Sequence, residues 1–200
     1  MSADFHPMSL TSDEQTRLLR SLPKYSRDHT IVSLMLGTGL RRTEVVALNV
    51  GDIRTPKKSI RTRVRLRTYK RSPGRQAPQH VFLPATLQHA LGEFLKRKKR
   101  RGEATSDESP LFVPSRRPSQ RLSARGLGFI LRRIFDRVGL PRFSAHSLRH
   151  TYCDRLRQHT CGDLRIVQIA ARHANIQTTQ RYVHPSAREI TDAIRHLPCS

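Results

Sequence analysis

Six residues spread along the chain have side chains suited to chemistry at a phosphate. They are Arg41, Lys70, His146, Arg149, His173 and Tyr182. Two arginines, two histidines and a lysine can together hold and neutralise one phosphate, because each guanidinium pairs with two phosphate oxygens. A tyrosine hydroxyl can attack the phosphorus once a base or a strong positive field favours loss of its proton. The set predicts phosphoryl transfer on nucleic acid without a metal ion.

Arg41 and Arg149 are the candidates to hold the two non-bridging oxygens of a scissile phosphodiester. Negative charge develops on those oxygens as the phosphorus becomes five-coordinate, and donors already in place lower the barrier. Tyr182 is the candidate nucleophile, and His146 could accept its proton or hydrogen-bond the phosphate. The alternatives are a surface cation for Arg41, a structural ion pair for Arg149 and a core aromatic for Tyr182.

Metal and nucleotide cofactors are not expected. His146 and His150 are four residues apart, a spacing that metal ligands use, and Cys153 follows one turn later. The chain has no His-Glu-x-x-His motif and no neighbouring cluster of carboxylates of the kind that zinc hydrolases use. It also has no Gly-x-x-x-x-Gly-Lys-Ser/Thr loop, so ATP is not implied.

The charge of the chain favours a polyanionic partner. The 200 residues carry 38 Lys and Arg against 15 Asp and Glu, a formal net charge of +23. Each phosphate that a cation neutralises releases counterions, so nucleic acid is the expected partner, ahead of a membrane surface or ribosomal packing. No apolar run approaches the roughly 20 residues of a membrane span, and the N-terminus is not typical of a secretory signal. Three cysteines without a Cys-x-x-Cys pair favour reduced thiols in the cytosol.

The N-terminal half is predicted to hold helices followed by a basic hairpin. A capping box at residues 12–15 predicts one helix, residues 28–36 a second, and a third begins near Arg41. Arginines then alternate over residues 60–67 with Ile60, Thr62, Val64 and Leu66, which predicts a strand with these four side chains on its buried face. Residues 72–74 mark a turn, and residues 81–83 a return strand. Ten Lys or Arg and no acid lie between Arg54 and Arg75, so this face is expected to meet phosphates.

The rest of the chain is predicted to be helical apart from one loop. A helix begins near Pro84 and ends in six cations, residues 96–101, which either stabilise its C-terminus or contact DNA. Residues 102–120 form a surface loop around the apolar run 111–113. Further helices are expected at residues 124–138, 146–158, 164–171, 178–183 and 187–197. The fold class is therefore mainly α with a small antiparallel β-sheet (α+β).

Four segments, in order, resemble the catalytic domain of the tyrosine recombinases, or phage integrase family. They are Thr38-Gly39-Leu40-Arg41 with Glu44, the basic hairpin with Lys70, His146-Ser-Leu-Arg149-His-Thr, and the stretch from His173 to Tyr182. The resemblance covers Leu10 to about Leu197. It implies a flexible segment at residues 1–9 and a catalytic domain at residues 10–200, without an N-terminal core-binding domain because Arg41 comes so early. Such a domain is either complete in itself or a fragment.

The resemblance also implies roles for individual residues. Lys70 is the expected general acid for the leaving 5′-hydroxyl, although the usual Gly-Lys-Gly is missing and Arg71 and Arg75 are nearby. His173 is expected to donate a hydrogen bond to the phosphate, and Tyr182 follows it by nine positions, a spacing that Tyr25, Tyr69 and Tyr152 lack. His150 is expected to brace the site, and Glu44 to hold the helix of Arg41 or a neighbouring contact. The chain has Ala171-Arg172 where the family usually has Leu-Gly, a helix end that often needs a positive φ.

The implied function is site-specific recombination or integration through a 3′-phosphotyrosyl intermediate. A catalytically silent DNA-binding regulator and a type IB topoisomerase-like enzyme are the alternatives. The expected partners are double-stranded DNA, a tetramer of this chain on DNA and an accessory DNA-bending protein, with no cofactor and no membrane. The expected setting is the bacterial cytoplasm, at the nucleoid, on a mobile element. An apolar stripe at residues 187–197 packs either in its own core or on a neighbouring protomer.

Overall fold

The computed structural model describes residues 8–67 and 79–173, together with Thr191 and Arg195. Its elements are α1 (Ser12–Arg20), α2 (Arg27–Thr38), α3 (Arg42–Ala47), α4 (Val50–Ile53), β1 (Arg63–Arg65), β2 (His80–Phe82), α5 (Ala85–Arg100), α6 (Ala124–Arg137), α7 (Ala145–His159) and α8 (Leu164–Ala171). This is the mainly helical architecture with a small antiparallel sheet that the sequence predicts. Among the helices of the described part, none combines the length and apolar character that a membrane crossing requires.

Helix α2 lies at the centre of the core and packs against α1, α5 and α7. It is apolar on most of its surface, and Ile31, Val32 and Met35 are fully buried. It ends at Gly39, which has a φ of 61°. A Cβ at this position would lie 2.4 Å from the ring of Tyr152 on α7, so only glycine permits this approach of the two helices. The close approach brings the start of α3 beside the middle of α7.

The β-hairpin forms where the period of the sequence changes to two. Strands β1 and β2 are antiparallel, and Val64 pairs with Val81. Both valines are buried, whereas Arg63 and Arg65 on either side of Val64 are exposed. The predicted alternation is therefore confirmed at residues 63–66, whereas Thr62, expected on the buried face, is exposed and precedes β1. The turn expected at residues 72–74 lies outside the described residues.

The structure differs from the sequence prediction at two helices, α1 and α4. Helix α1 is capped by Thr11 and not by Ser12: the Thr11 hydroxyl accepts from the Glu14 N–H at 3.2 Å, and the Glu14 carboxylate accepts from the Thr11 N–H at 2.8 Å. Two overlapping capping boxes are possible here, Thr11 with Glu14 and Ser12 with Gln15. The first forms because the Glu14 carboxylate is a better acceptor for a backbone N–H than the Gln15 amide. The single-turn helix α4 was not predicted, because four residues are too few to show a helical period.

The run of cations at residues 96–101 does not act as a unit. Lys98 is only 2% exposed, and its ammonium donates to the Glu103 carboxylate at 3.0 Å. This buried ion pair ties the end of α5 to the following loop, so Lys98 is neither a solvated helix charge nor available for DNA. Within that loop, the apolar run 111–113 is buried, and the Leu111 N–H donates to the Leu48 carbonyl at 2.9 Å.

Candidate active site

Arg41 lies at the N-cap of α3 and is held by Glu44. The Glu44 carboxylate accepts from the Arg41 backbone N–H at 2.8 Å and from the Arg41 guanidinium at 2.7 Å. The side chain of Arg41 is 29% exposed, whereas that of Glu44 is 1% exposed. Glu44 therefore combines the two functions that the sequence left open, since it supports the helix start and also contacts the guanidinium directly.

Arg149 is buried in α7 and joins two distant parts of the chain. Its guanidinium donates to the carbonyl of Gly39, before α3, and to the carbonyl of Ala171, at the end of α8. Burial, followed by the charge of Arg41, lowers the pKa of Arg149 to about 10, so it remains charged at neutral pH. A guanidinium has five N–H groups, and these two bonds leave others for an anion. Arg149 thus joins the corner before α3 to the end of α8.

Arg172 and His173 directly follow α8. Arg172 takes the left-handed conformation, with a φ of 58°, at the helix C-cap. The backbone N–H of His173 donates to the Gln168 carbonyl at 3.0 Å, which closes the helix end. The positive φ expected at this helix end is present, but an arginine adopts it in place of the usual glycine.

His173 is buried beside the positive charges of the site. Burial, followed by the charges of Arg149, Arg41 and Arg172, lowers the pKa of His173 to about 3. The imidazole is therefore neutral at neutral pH, and a neutral imidazole still carries one N–H that can donate a hydrogen bond. This charge state suits the predicted role of His173 as a hydrogen-bond donor to the phosphate.

His146 occupies the first turn of α7, one turn before Arg149. It is exposed, and its ring lies 6.1 Å from the ring of His150. Partial desolvation, followed by the charges of Arg149, Arg42 and Arg41, lowers the pKa of His146. The lowered pKa favours the neutral imidazole, which is the form that can accept a proton.

The low pKa of His173 predicts acid sensitivity of the fold. The unfolded chain protonates His173 near pH 6.5 while the folded chain does not. The free energy of unfolding should therefore fall as the pH is lowered below that value, by up to about 1.4 kcal/mol per pH unit. Urea unfolding of wild type and His173→Gln, at neutral pH and at about pH 5, should show a smaller loss in the variant. His159→Gln, at an exposed position, is the control, and equal pH slopes for wild type and His173→Gln would contradict the assignment.

The structure brings four of the six predicted site residues together. Arg41, His146, Arg149 and His173 lie where the ends of α2 and α8 meet α7. Lys70 and Tyr182 lie outside the described residues, so their roles stay predictions. In the described ranges no group of three or more His, Cys, Asp or Glu is placed to hold a metal ion. Cys153, predicted to lie one turn from the histidine pair, is fully buried against the apolar residues of α8.

Sequence reasoning missed one residue of this site. Arg172 drew notice only as the replacement of a glycine, yet its side chain is buried and donates to Glu44 at 3.0 Å. The signal in the sequence was a long, charged residue at a helix end where glycine is usual. That signal gives the backbone conformation but not the direction of the side chain.

The architecture and the site define the catalytic-domain fold of tyrosine recombinases. The superposition on the crystal structure of XerA recombinase has a TM-score of 0.73 at 25% sequence identity, and it covers 97% of this chain and 66% of that one. A lambda integrase dimer bound to a core site shares the fold at 18% identity, with a TM-score of 0.60 over 91% of this chain and 49% of that one.

Sequence comparison gives the family. The model of the phage integrase family matches residues 8–189, and the chain belongs to that family. Tyrosine recombinase XerA of Pyrococcus furiosus is 32% identical over 191 residues, which cover 94% of this chain and 61% of the relative. Tyrosine recombinase XerC of Caldanaerobacter subterraneus subsp. tengcongensis is 28% identical over 200 residues, which cover 98% of this chain and 52% of the relative. The chain thus spans between about half and two thirds of the length of these relatives.

Proposed function

We propose that this chain is the catalytic domain, residues 10–200, of a site-specific DNA recombinase or integrase. It cleaves and rejoins DNA strands through a 3′-phosphotyrosyl intermediate. The observation that carries the proposal is the meeting of Arg41, Arg149, His146 and His173 at one place from three separate parts of the chain. The net charge of +23 and membership of the phage integrase family support DNA as the substrate.

In the proposed cleavage step, the Tyr182 hydroxyl attacks the scissile phosphorus. Arg41 and Arg149 donate to the two non-bridging oxygens and offset the charge that develops there. The bond between phosphorus and the tyrosine oxygen forms as the bond to the 5′-oxygen breaks. His146, held neutral by its surroundings, accepts the phenolic proton, and Lys70 gives a proton to the leaving 5′-oxygen. Attack by a 5′-hydroxyl on the phosphotyrosine reverses these steps and rejoins the strand.

Covalent capture on nicked duplexes tests this function. A nick close to the scissile phosphate releases a short fragment on cleavage, so rejoining fails and the protein–DNA adduct accumulates. We expect wild type to yield a denaturant-resistant adduct from a pool with randomised flanks, in excess EDTA and without ATP. The protein's own cations replace a metal, and the phosphotyrosine retains the energy of the broken bond. An adduct that needs a divalent ion, or no adduct across the whole pool, would refute the proposal.

Two related functions are distinguished by the adduct assay taken together with assays of plasmid relaxation and strand exchange. A silent DNA-binding regulator of this fold is the alternative that Arg172, in place of the family's usual glycine, keeps open, and it would bind DNA without forming an adduct. A type IB topoisomerase-like enzyme would form the adduct but would relax supercoiled plasmid without exchanging strands between two sites. A recombinase must give both the covalent adduct and strand exchange between two sites.

We further propose that the chain acts on double-stranded DNA as a tetramer in the bacterial cytoplasm. An accessory DNA-bending protein would help to bring two sites together. The apolar stripe predicted at residues 187–197 supports self-association, because a free helix that short is marginal in water and must bury its face. Of that stretch the structure describes only Thr191 and Arg195, both helical and exposed.

Truncation after Ser186 tests the link between protomers. We expect the shortened chain to melt as wild type does and to bind one DNA site, but not to pair two sites. The checks are thermal melting and the mass of the DNA complex by light scattering. A matched full-length variant, Arg195→Ala, retains the apolar stripe and should still pair sites. Unfolding of the truncated chain would place the stripe in its own core, and continued pairing would show that the tail is not the link.

A further inference from the structure

Arg172 holds an unfavourable backbone conformation. Four described residues other than glycine have a positive φ, namely Tyr25, Lys58, Cys161 and Arg172. Arg172 is the buried one among them, with 5% of its surface exposed. A left-handed conformation is unfavourable for a residue with a Cβ, and glycine would avoid this cost. The side chain must therefore contribute something that glycine cannot.

The Arg172 guanidinium lies between the corner at Gly39 and the start of α3. It donates to the Glu44 carboxylate at 3.0 Å and, at 3.4 Å each, to the carbonyls of Thr38 and Gly39. The Gly39 carbonyl also accepts from Arg149. The side chains of Arg172 and Glu44 are 4% and 1% exposed. Because its guanidinium donates to the Glu44 carboxylate and to backbone carbonyls, Arg172 acts through Glu44 and the backbone.

Glu44 is shared by two arginines. One oxygen, Oε1, accepts from the Arg41 guanidinium, while Oε2 accepts from the Arg41 backbone N–H and from Arg172. A phosphate that binds the Arg41 guanidinium through Nη1 competes with Oε1 for that donor. If Arg41 moved to the phosphate in the absence of Arg172, the buried carboxylate would keep only a backbone N–H as partner. An uncompensated buried charge is strongly unfavourable, so Arg41 would stay on Glu44.

We propose that Arg172 is a positioning residue that keeps Glu44 paired and thereby frees the Arg41 guanidinium to bind the scissile phosphate. The proposal rests on the function proposed above. It also accounts for the backbone conformation, because the cost at the α8 C-cap is offset by the arginine that this conformation directs to Glu44. A structural cap alone would need only the positive φ, which glycine supplies more easily.

Arg172→Gly separates these two roles. Glycine relieves the backbone but also removes a buried side chain and its hydrogen bonds, so thermal melting is measured in parallel. At a temperature where the variant is fully folded, single-turnover cleavage at saturating DNA should fall about 10- to 100-fold, as for loss of a supporting partner. Arg172→Lys keeps a charge in reach of Glu44 and should recover part of the rate. In the Glu44→Gln background the buried charge is absent, so Arg172→Gly should have a much smaller effect. Arg165→Ala, at an exposed position of α8, is the matched control at saturating DNA.

A second readout does not depend on cleavage. The Nε–Hε resonance of Arg41 in ¹⁵N-labelled protein should shift when nicked duplex is added to wild type and should stay near its free position in Arg172→Gly. If wild type forms no adduct, the proposed function fails, and the resonance still decides the role of Arg172. An unchanged cleavage rate in Arg172→Gly, equal losses with and without Glu44, or the same Arg41 shift in both proteins would each overturn the proposal.

Discussion

Replacing Tyr182 with phenylalanine is expected to abolish the covalent protein–DNA adduct and to leave DNA binding unchanged. The phenyl ring keeps the shape of the side chain but has no oxygen to attack the phosphorus. Binding depends on the many Lys and Arg that neutralise phosphates, and these are untouched. The measurements are adduct yield on a nicked duplex under denaturing conditions and affinity over a range of salt concentrations.

Tyr152→Phe is the matched control, because Tyr152 is the tyrosine that the described structure places beside the arginines. Its ring contacts Gly39, and burial raises the pKa of its hydroxyl, which makes the phenolate harder to form. The control should therefore keep the adduct. If Tyr182→Phe still forms the adduct and Tyr152→Phe does not, Tyr152 is the nucleophile and the assignment from motif spacing is wrong.

The residue types of the site were predictable from short motifs, but their supporting contacts were not. Arg41 and Arg149 stand out because paired guanidiniums suit a phosphate. Nothing local indicates that Arg149 donates to the carbonyl of Gly39, which is 110 positions away. Arg172 and Glu44 are 128 positions apart. Such contacts depend on how α2, α7 and α8 pack, and one sequence alone does not give the packing.

The fold was predictable where periodicity is long and uninterrupted. Helix α8 begins and ends at the predicted residues, α6 ends one residue earlier than predicted, and α7 is one residue longer at each end. Composition was misleading at Lys98, because the run of six cations at residues 96–101 suggests exposed side chains and that of Lys98 is buried. Burial of a lysine depends on Glu103, which follows beyond the helix end and meets the ammonium only after the loop turns back. A run of cations therefore predicts an anionic partner for the run as a whole. Which of its side chains is instead buried within the protein depends on the tertiary structure.

Arg149→Lys is expected to have the largest effect among substitutions that preserve charge, with cleavage at saturating DNA falling by about 10²- to 10³-fold or more. Lysine is a point charge on a flexible stem, whereas the planar guanidinium offers several N–H groups at fixed angles. Arg149 uses that geometry to bind the Gly39 and Ala171 carbonyls, and in the proposed mechanism its other N–H groups bind the phosphate. A lysine ammonium has three N–H groups from one atom and cannot span two carbonyls and an anion together.

Because the net charge is unchanged in Arg149→Lys, its DNA affinity and salt dependence should stay close to those of wild type, so a lost rate reports geometry at the phosphate. Thermal melting measured in parallel separates this loss from unfolding, since two buried carbonyls lose a donor. Arg155→Lys on the same helix, where the arginine donates to Gln15 at 2.7 Å, should cleave as wild type does. Wild-type cleavage by Arg149→Lys would mean that a positive charge suffices at this position. The paired guanidiniums would then not be what stabilises the transition state, and the field of the surrounding cations would be the principal source of catalysis.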